Sequence, residues 1–290
     1  MLVREPVAAG GFYPAGKDEC LRMIRSLPAV EPPADLPERP VAGIVPHAGW
    51  IFSGATALAV LKAIQSKRSP KTFVLFGAVH RPIGRSAAFS SGAWRTPMGL
   101  AAVDERLARE ILVQAGDLLE ENPRAHLGEH SIEVQVPLIQ HLFGEAKIVP
   151  IAVLPEEAAP EIGRAVARAI RNSSTDAVCL GSTDLTHYGP AYGFAPRGYG
   201  EKAIQWVREE NDRRMIDLAV RLDAEAAVPE AEARANACGS GAVAATLAAA
   251  RELGAERGCL VHYTTSYDVC RERFGERDSD AAVGYAGLLF

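Results

Sequence analysis

Three segments of this chain end a continuous apolar run and then present a titratable side chain. His47 follows VAGIVP, His80 follows TFVLFGAV, and Asp184 with His187 follows DAVCLGST. Apolar runs of this kind read as strands, and open α/β sheets bind ligands beyond the carboxyl ends of their strands, where the loops converge. One histidine at such a place is most simply a hydrogen-bonded structural residue. Three strand ends with the same pattern point instead to one shared pocket. Cys238 joins them as a candidate, in NACGSGAVAATLAAA, just ahead of an Ala-rich helical run. A thiol at a helix start faces unpaired N–H groups and the positive end of the dipole, which favours thiolate, the form that binds metals or attacks carbon. Cys20, Cys179, Cys259 and Cys270 lack this setting and read as packing residues.

GEHSIEVQVPLIQHLF (128–143) places His130 and Glu133 three residues apart, hence on one face if a helix begins there, with His130 as a candidate acid/base or outer partner of a site. His126 and His141 lack a companion motif, and His262 falls inside a strand pattern as a structural residue. GxSxG and GxxxxGK[ST] are both absent, which removes the main support for a serine hydrolase or a P-loop NTPase. Two chemistries remain open on these residues. One is a metal centre; the other is a Cys–His hydrolase or transferase, with Cys238 as nucleophile, His187 as base and Asp184 orienting it.

The elements that must position these residues alternate in type. Strands are predicted at Val41–Pro46, Thr72–Val79, Lys147–Val153, Asp176–Gly181, Cys259–Thr264 and Ala282–Leu289. Helices are predicted at Lys17–Ser26, Thr56–Ser66, Glu105–Gln114, Ser131–Leu142, Glu157–Asn172, Glu201–Ala224 and Ala242–Leu253. Pro137 makes Ser131–Leu142 the helix most open to a break. This alternation predicts an α/β fold. Leu27–Pro40 carries five prolines and reads as an extended surface connector inside one domain spanning 1–290, while Tyr188–Gly200, rich in aromatic, Gly and Pro residues, reads as a long loop of the functional kind.

Composition narrows the function classes. With 48% hydrophobic and 23% charged residues the chain is an ordinary folded globule, and a net charge of −5 without a Lys/Arg block removes the attraction that drives nucleic-acid binding. No apolar run of about 18 residues is present, and the start MLVREPVAAGG has a charged pair where a signal peptide needs its apolar centre. The expectation is a cytoplasmic chain with no membrane contact. Five cysteines without a CxxC pair fit neither a disulfide framework nor a zinc ribbon.

In order and spacing, REPVAAGGFYPAG, VPHAGWIFSGATA, FGAVH, GEHSIEVQVP, GSTDLTHYG, NACGSGA and the terminal VGYAGLLF resemble the Memo family, known in microbes as AmmeMemoRadiSam system protein B. The resemblance runs from about residue 4 to the C-terminus. It implies a three-layer α/β/α sandwich around a largely parallel or mixed sheet, like that of the type III extradiol ring-cleaving dioxygenases. It also implies a mononuclear metal site of two histidines and a cysteine, here His47, His80 and Cys238, with Asp184 and His187 matching the family's pocket motif. The dioxygenase relatives use a carboxylate as third ligand, where this chain offers a thiol. Iron is the first expectation for the metal, and copper or zinc the alternatives, since imidazole suits all three and a soft thiolate favours Cu(I) and Zn. The implied activity is dioxygenase-like, using O2 on a small chelating or aromatic substrate. Because eukaryotic Memo proteins are associated with signalling and cell motility, a metal-binding module that recognises a peptide is the other implied role. The microbial family name implies a functional link to radical-SAM and AMMECR-type proteins.

Overall fold

Val3–Arg4 (β1), Ala42–Val45 (β2), Thr72–Gly77 (β3), Ala87–Ala88 (β4), Ala93–Thr96 (β5), Gly99–Ala102 (β6), Glu120–Glu121 (β7), Lys147–Ala152 (β8), Ala177–Ser182 (β9), His187–Tyr188 (β10), Cys259–Thr265 (β11) and Ala282–Leu289 (β12) are the strands of the computed structural model, which describes residues 1–275 and 280–290. The helices are α1 (Lys17–Ser26), α2 (Trp50–Lys67), α3 (Glu105–Ala115), α4 (Val136–Phe143), α5 (Ala159–Ser173), α6 (Glu201–Trp206), α7 (Asp212–Val220), α8 (Ala227–Arg234), α9 (Ser240–Glu252) and α10 (Ser266–Phe274).

The main sheet runs β10-β12-β2-β9-β3-β8-β4-β7, with β11 also paired to β12. Its centre, β2-β9-β3-β8, is parallel, while β12 joins β2 antiparallel and β4 joins β8 antiparallel. The four central strands are buried almost throughout because helices cover both faces. That is why they read as unbroken apolar runs. Helices α3, α5, α8 and α9 pack together on one face, and α1, α2, α4 and α10 on the other, giving an α/β/α sandwich. A small sheet, β1-β5-β6, lies beside it.

The strand order explains how the candidate residues meet. The β9 strand comes late in the chain, yet it inserts between β2 and β3. The carboxyl ends of these three strands, which lead to His47, Asp184/His187 and His80, are therefore neighbours.

Three predicted helices differ from the observed ones. The second begins at Trp50 rather than Thr56; it is buried nearly all round, and Trp50 Nε1 donates to Val134 O at 2.9 Å. A helix buried on every side shows little amphipathic period, so its start is poorly marked. Ser131–Leu142 is a 3₁₀ turn at Glu133–Gln135 followed by α4, with Pro137 in the first turn, where its missing N–H costs nothing. Glu201–Ala224 is interrupted by a π turn at Val207–Asn211 and ends at Val220. Between α1 and β2 the Pro-rich connector carries no helix or strand, and no described helix is long and apolar enough to cross a membrane.

His126, which had no companion in the sequence, is a core residue. It is fully buried against the rings of Phe89 and Trp94, and one ring nitrogen, Nε2, donates to Ala87 O at 3.1 Å. Burial pushes its pKa down to about 4 from the ordinary 6.5. The unfolded chain thus takes up a proton that the folded one refuses. The stabilisation is complete above pH 6.5 and is lost as pH falls towards 4, a span of about 3 kcal/mol at ~1.4 kcal/mol per pH unit. We expect His126→Gln to flatten the loss of stability between pH 6.5 and 4 in urea unfolding. An unchanged pH slope would exclude His126 as its source.

Candidate metal centre

His47, His80 and His130 bring ring nitrogens together so that their ligand atoms all lie within 4.8 Å of one another. Each arrives differently. His47 stands in the short PHAG link between β2 and α2, His80 follows β3, and His130 precedes the 3₁₀ turn that leads into α4. The rings of His80 and His130 stack at 4.8 Å between centroids, and His47 meets both edge-on at 5.1 and 5.5 Å.

The hydrogen bonds decide which nitrogen each ring offers. Ser182 Oγ donates to Ser131 O at 2.7 Å, so it can only accept from His47 Nδ1, 3.0 Å away. His47 therefore carries its proton on Nδ1 and turns an unprotonated Nε2 inward. His80 Nδ1 lies 3.0 Å from the Glu129 carboxylate, which holds the proton there and leaves Nε2 open. A metal-binding histidine characteristically anchors its other ring nitrogen in this way. His130 is less firmly held, with Nδ1 at 3.6 Å from the same carboxylate and its ring against Phe12 at 4.4 Å.

Burial and the neighbouring imidazoles push the pKa of His47 well down, and burial lowers that of His130. The hydrogen bond to Glu129 raises that of His80. Neutral imidazole is the form that binds metal. The carboxylate at the centre of this arrangement is Glu129. It accepts from the backbone N–H groups of His80, His130 and Ser131 at 2.8–2.9 Å as well as from the His80 ring. Burial opposes its charge, yet these bonds hold its carboxyl well below the usual range.

Cys238 reaches the cluster from the other side, with Sγ 3.2 Å from His47 Nε2. Its backbone N–H donates to Asp184 O at 3.2 Å, which ties the turn before α9 to the loop after β9. The turn lies close against the end of β9: a Cβ on Gly239 would meet Ser182 O at 2.5 Å, so only glycine fits there. The expectation of a helix-start thiolate is overturned. Cys238 precedes Gly239, the residue that caps α9, and burial together with the nearby Asp184 carboxylate pushes its thiol up. Desolvation outweighs the helix dipole here.

Asp184 Oδ1 accepts the His47 N–H at 2.7 Å and so holds the backbone of the PHAG link; burial raises its carboxyl. His187 donates Nδ1–H to Leu185 O at 3.0 Å, which leaves Nε2 as an acceptor, and its ring meets Tyr192 edge-on at 5.1 Å. The imidazole beside Cys238 is thus His47, whereas the nucleophile–base pairing expected from the sequence put His187 there. His47, His80, His130, Asp184 and His187 all line one cavity of about 600 Å³. Phe12, Phe52, Tyr192, Tyr267 and Tyr285 supply its aromatic walls. A larger cleft of about 1090 Å³ lies at the opposite end of the strands, bordered by both arginines and acids and remote from these histidines.

Glu133 has partners other than the histidines. It forms a fully buried ion pair with Arg4 and accepts from Ala8 N at 2.8 Å and Tyr13 Oη at 2.7 Å, so it anchors the N-terminal segment. His262, as expected, is structural, its Nδ1 2.8 Å from Thr56 Oγ1. Glu129 was missed by sequence reasoning, although GEHS places it directly before His130. Ser182 and Gln135, which donates to Pro46 O at 2.7 Å behind His47, carried no signal.

The family described as Memo-like protein matches residues 4–289. A MEMO1 family protein of Thermococcus kodakarensis is 39% identical, covering 100% of this chain and 99% of its own length. A MEMO1 family protein of Methanothermobacter thermautotrophicus is 36% identical over 99% of this chain and 100% of its own. Among solved structures, an uncharacterized Escherichia coli K12 protein superimposes with a TM-score of 0.55 at 12% identity, covering 85% of this chain and 99% of that one, a likeness of fold alone. With a match from Arg4 to Leu289 and relatives this similar over their full lengths, the chain belongs to the Memo family.

Proposed function

We propose that this chain is a mononuclear metal protein of redox character. In this reading His47, His80 and Cys238 hold an iron or copper ion, and the adjoining cavity takes a small aromatic or otherwise chelating substrate together with O2. The observation that carries it is the pair of Nδ1 anchors, Ser182 on His47 and Glu129 on His80, which leave Nε2 as the ligand nitrogen of two rings in the histidine cluster. The donor set fits such an ion: imidazole suits iron and copper, and a thiol beside it adds a soft donor once deprotonated. Cys238 is preferred over His130 as third ligand because its Sγ lies 3.2 Å from His47 Nε2 and His130 lacks a close Nδ1 anchor, although the group of ligand atoms within 4.8 Å is made by the three histidines.

The chemistry supplied by such an ion, when bound, is the joint activation of O2 and a chelating substrate. The protein's own groups do the rest. A cavity of about 600 Å³ with aromatic walls suits a small ring compound. His187, with Nε2 as acceptor, takes the proton from a substrate hydroxyl, and Asp184 keeps the His47 link in place. His130, whose pKa burial lowers, stands on the same wall.

The contact of Cys238 with His47 is also the pairing of an activated nucleophile with its base. Cys238 is not among the residues lining the cavity, where a nucleophile would have to meet its substrate, and this favours the metal reading. The test is an anaerobic titration of the iron(II)-loaded protein with 4-nitrocatechol. A metal-dependent shift of the catecholate absorption is expected, and His187→Gln should move the pH at which it develops. The same spectrum with and without metal would end the proposal.

A further inference from the structure

Two consecutive helical residues, Asn211 and Asp212, bond the same distant side chain. Asn211 Nδ2 donates to Thr186 Oγ1 at 2.9 Å, and Asp212 Oδ1 accepts both from that hydroxyl and from Thr186 N at 2.9 Å. Neighbours in a regular α-helix point about 100° apart and do not share a target. The π turn at Val207–Asn211, ending where α7 begins, is the irregularity that brings both to Thr186. π turns inside helices are frequently found at functional sites.

Thr186, Asn211, Asp212 and Asn236 are buried and Tyr263 partly so, and the cluster reaches both loops of the metal centre. Thr186 lies between Asp184 and His187, and Tyr263 Oη closes the other side by donating to Asp212 Oδ2 at 2.7 Å. Asn211 O accepts from Asn236 Nδ2 at 2.9 Å, two residues before Cys238. A Cβ on Gly284 would meet Asp212 Oδ2 at 1.9 Å, so β12 has glycine where the carboxylate passes. Gly284 itself pairs with the loop through Leu185 N to Gly284 O at 2.8 Å and Gly284 N to Thr186 O at 3.1 Å.

We infer that Asp212 is a positioning residue for the metal centre, setting the loop that carries Asp184 and His187 and, through Asn211 and Asn236, the turn that carries Cys238. A buried carboxylate with three donors is an expensive way to hold two loops merely in place. Its value is register: Asp184 O is the acceptor for Cys238 N, so a shift of either loop moves the thiol relative to His47. The inference rests on the proposed metal site, and its test separates the two.

Asp212→Asn and Tyr263→Phe would be compared with the wild type and with Ile111→Val, a core change in α3 of ordinary destabilisation. Two readouts are used: the alkylation rate of Cys238 in chelator-treated protein, followed by peptide mass spectrometry, and the thiolate-to-cobalt absorption after Co(II) loading. Asp212→Asn should change the alkylation rate at least fivefold, weaken Co(II) binding about tenfold and shift the band. Tyr263→Phe should move the same readouts in the same direction by less, and Ile111→Val should leave them unchanged. If Asp212→Asn does not fold, Tyr263→Phe decides. Readouts within twofold of wild type in every folded variant of the pair, or an equal response in Ile111→Val, overturn the inference. Lack of a thiolate-to-cobalt band in the wild type would overturn the ligand set instead, while the alkylation comparison still judges Asp212.

Discussion

Cys238→Ser is expected to purify with less than a tenth of the wild-type metal when both are prepared without oxygen, and His130→Gln with most of it. The difference follows from how the rings and the thiol are held. His47 and His80 each have Nδ1 bonded at 3.0 Å, and Cys238 Sγ sits 3.2 Å from His47 Nε2, whereas His130 Nδ1 is 3.6 Å from its nearest carboxylate. Anchoring of the outer nitrogen fixes both tautomer and ring direction, and its loss costs roughly 10–100-fold in metal affinity. Glu129→Gln should fall within that range, because the carboxylate serves both the His80 ring and three backbone N–H groups. Plasma emission analysis of the purified variants makes the comparison. Should His130→Gln empty the site while Cys238→Ser leaves it loaded, the three histidines are the ligand set and the thiol a bystander.

Arg4→Met is expected to cost about 3–5 kcal/mol in stability, the typical cost of removing one partner from a buried ion pair. Arg4 and Glu133 are both essentially without solvent contact, Arg4 also donates to His126 O at 3.0 Å and Glu129 O at 2.6 Å, and its guanidinium lies 4.3 Å over the Trp94 ring. Glu133 in turn holds Ala8 and Tyr13, a few residues from Phe12 on the cavity wall. Loss of the arginine leaves a buried carboxylate without its counter-charge. The double variant Arg4→Met/Glu133→Gln should therefore recover part of the loss, which a urea-unfolding double-mutant cycle would measure. Strict additivity of the two single effects would show that the pair is not coupled.

How much of this could be read from the sequence depends on where each feature draws its signal. The central parallel strands are buried on both faces, so VAGIVP, TFVLFGAV and DAVCLGST stand out as apolar runs, and the residues that end them, expected to share a pocket, line one cavity. His130 was visible as a companion, though the condition for its sharing a helix face with Glu133 is not met, since α4 starts only at Val136. The two-residue strands β4 and β7 are too short to carry a period. The π turn left the helical pattern of Glu201–Ala224 unbroken, since a single added residue alters direction without changing composition. Glu129 was missed because its importance lies in four hydrogen bonds, two of them from His80, which is far away in sequence. The thiolate expectation failed for a related reason: a helix start is readable along the chain, but the burial that outweighs it is a property of the assembled site.

The measurement that bears most directly on the ligand set is metal-edge X-ray absorption on protein purified without oxygen. Iron or copper is expected, with one sulfur scatterer at about 2.3 Å beside nitrogen neighbours, and with that sulfur shell lost in Cys238→Ser. A first shell of nitrogen and oxygen alone, identical in wild type and Cys238→Ser, would contradict it.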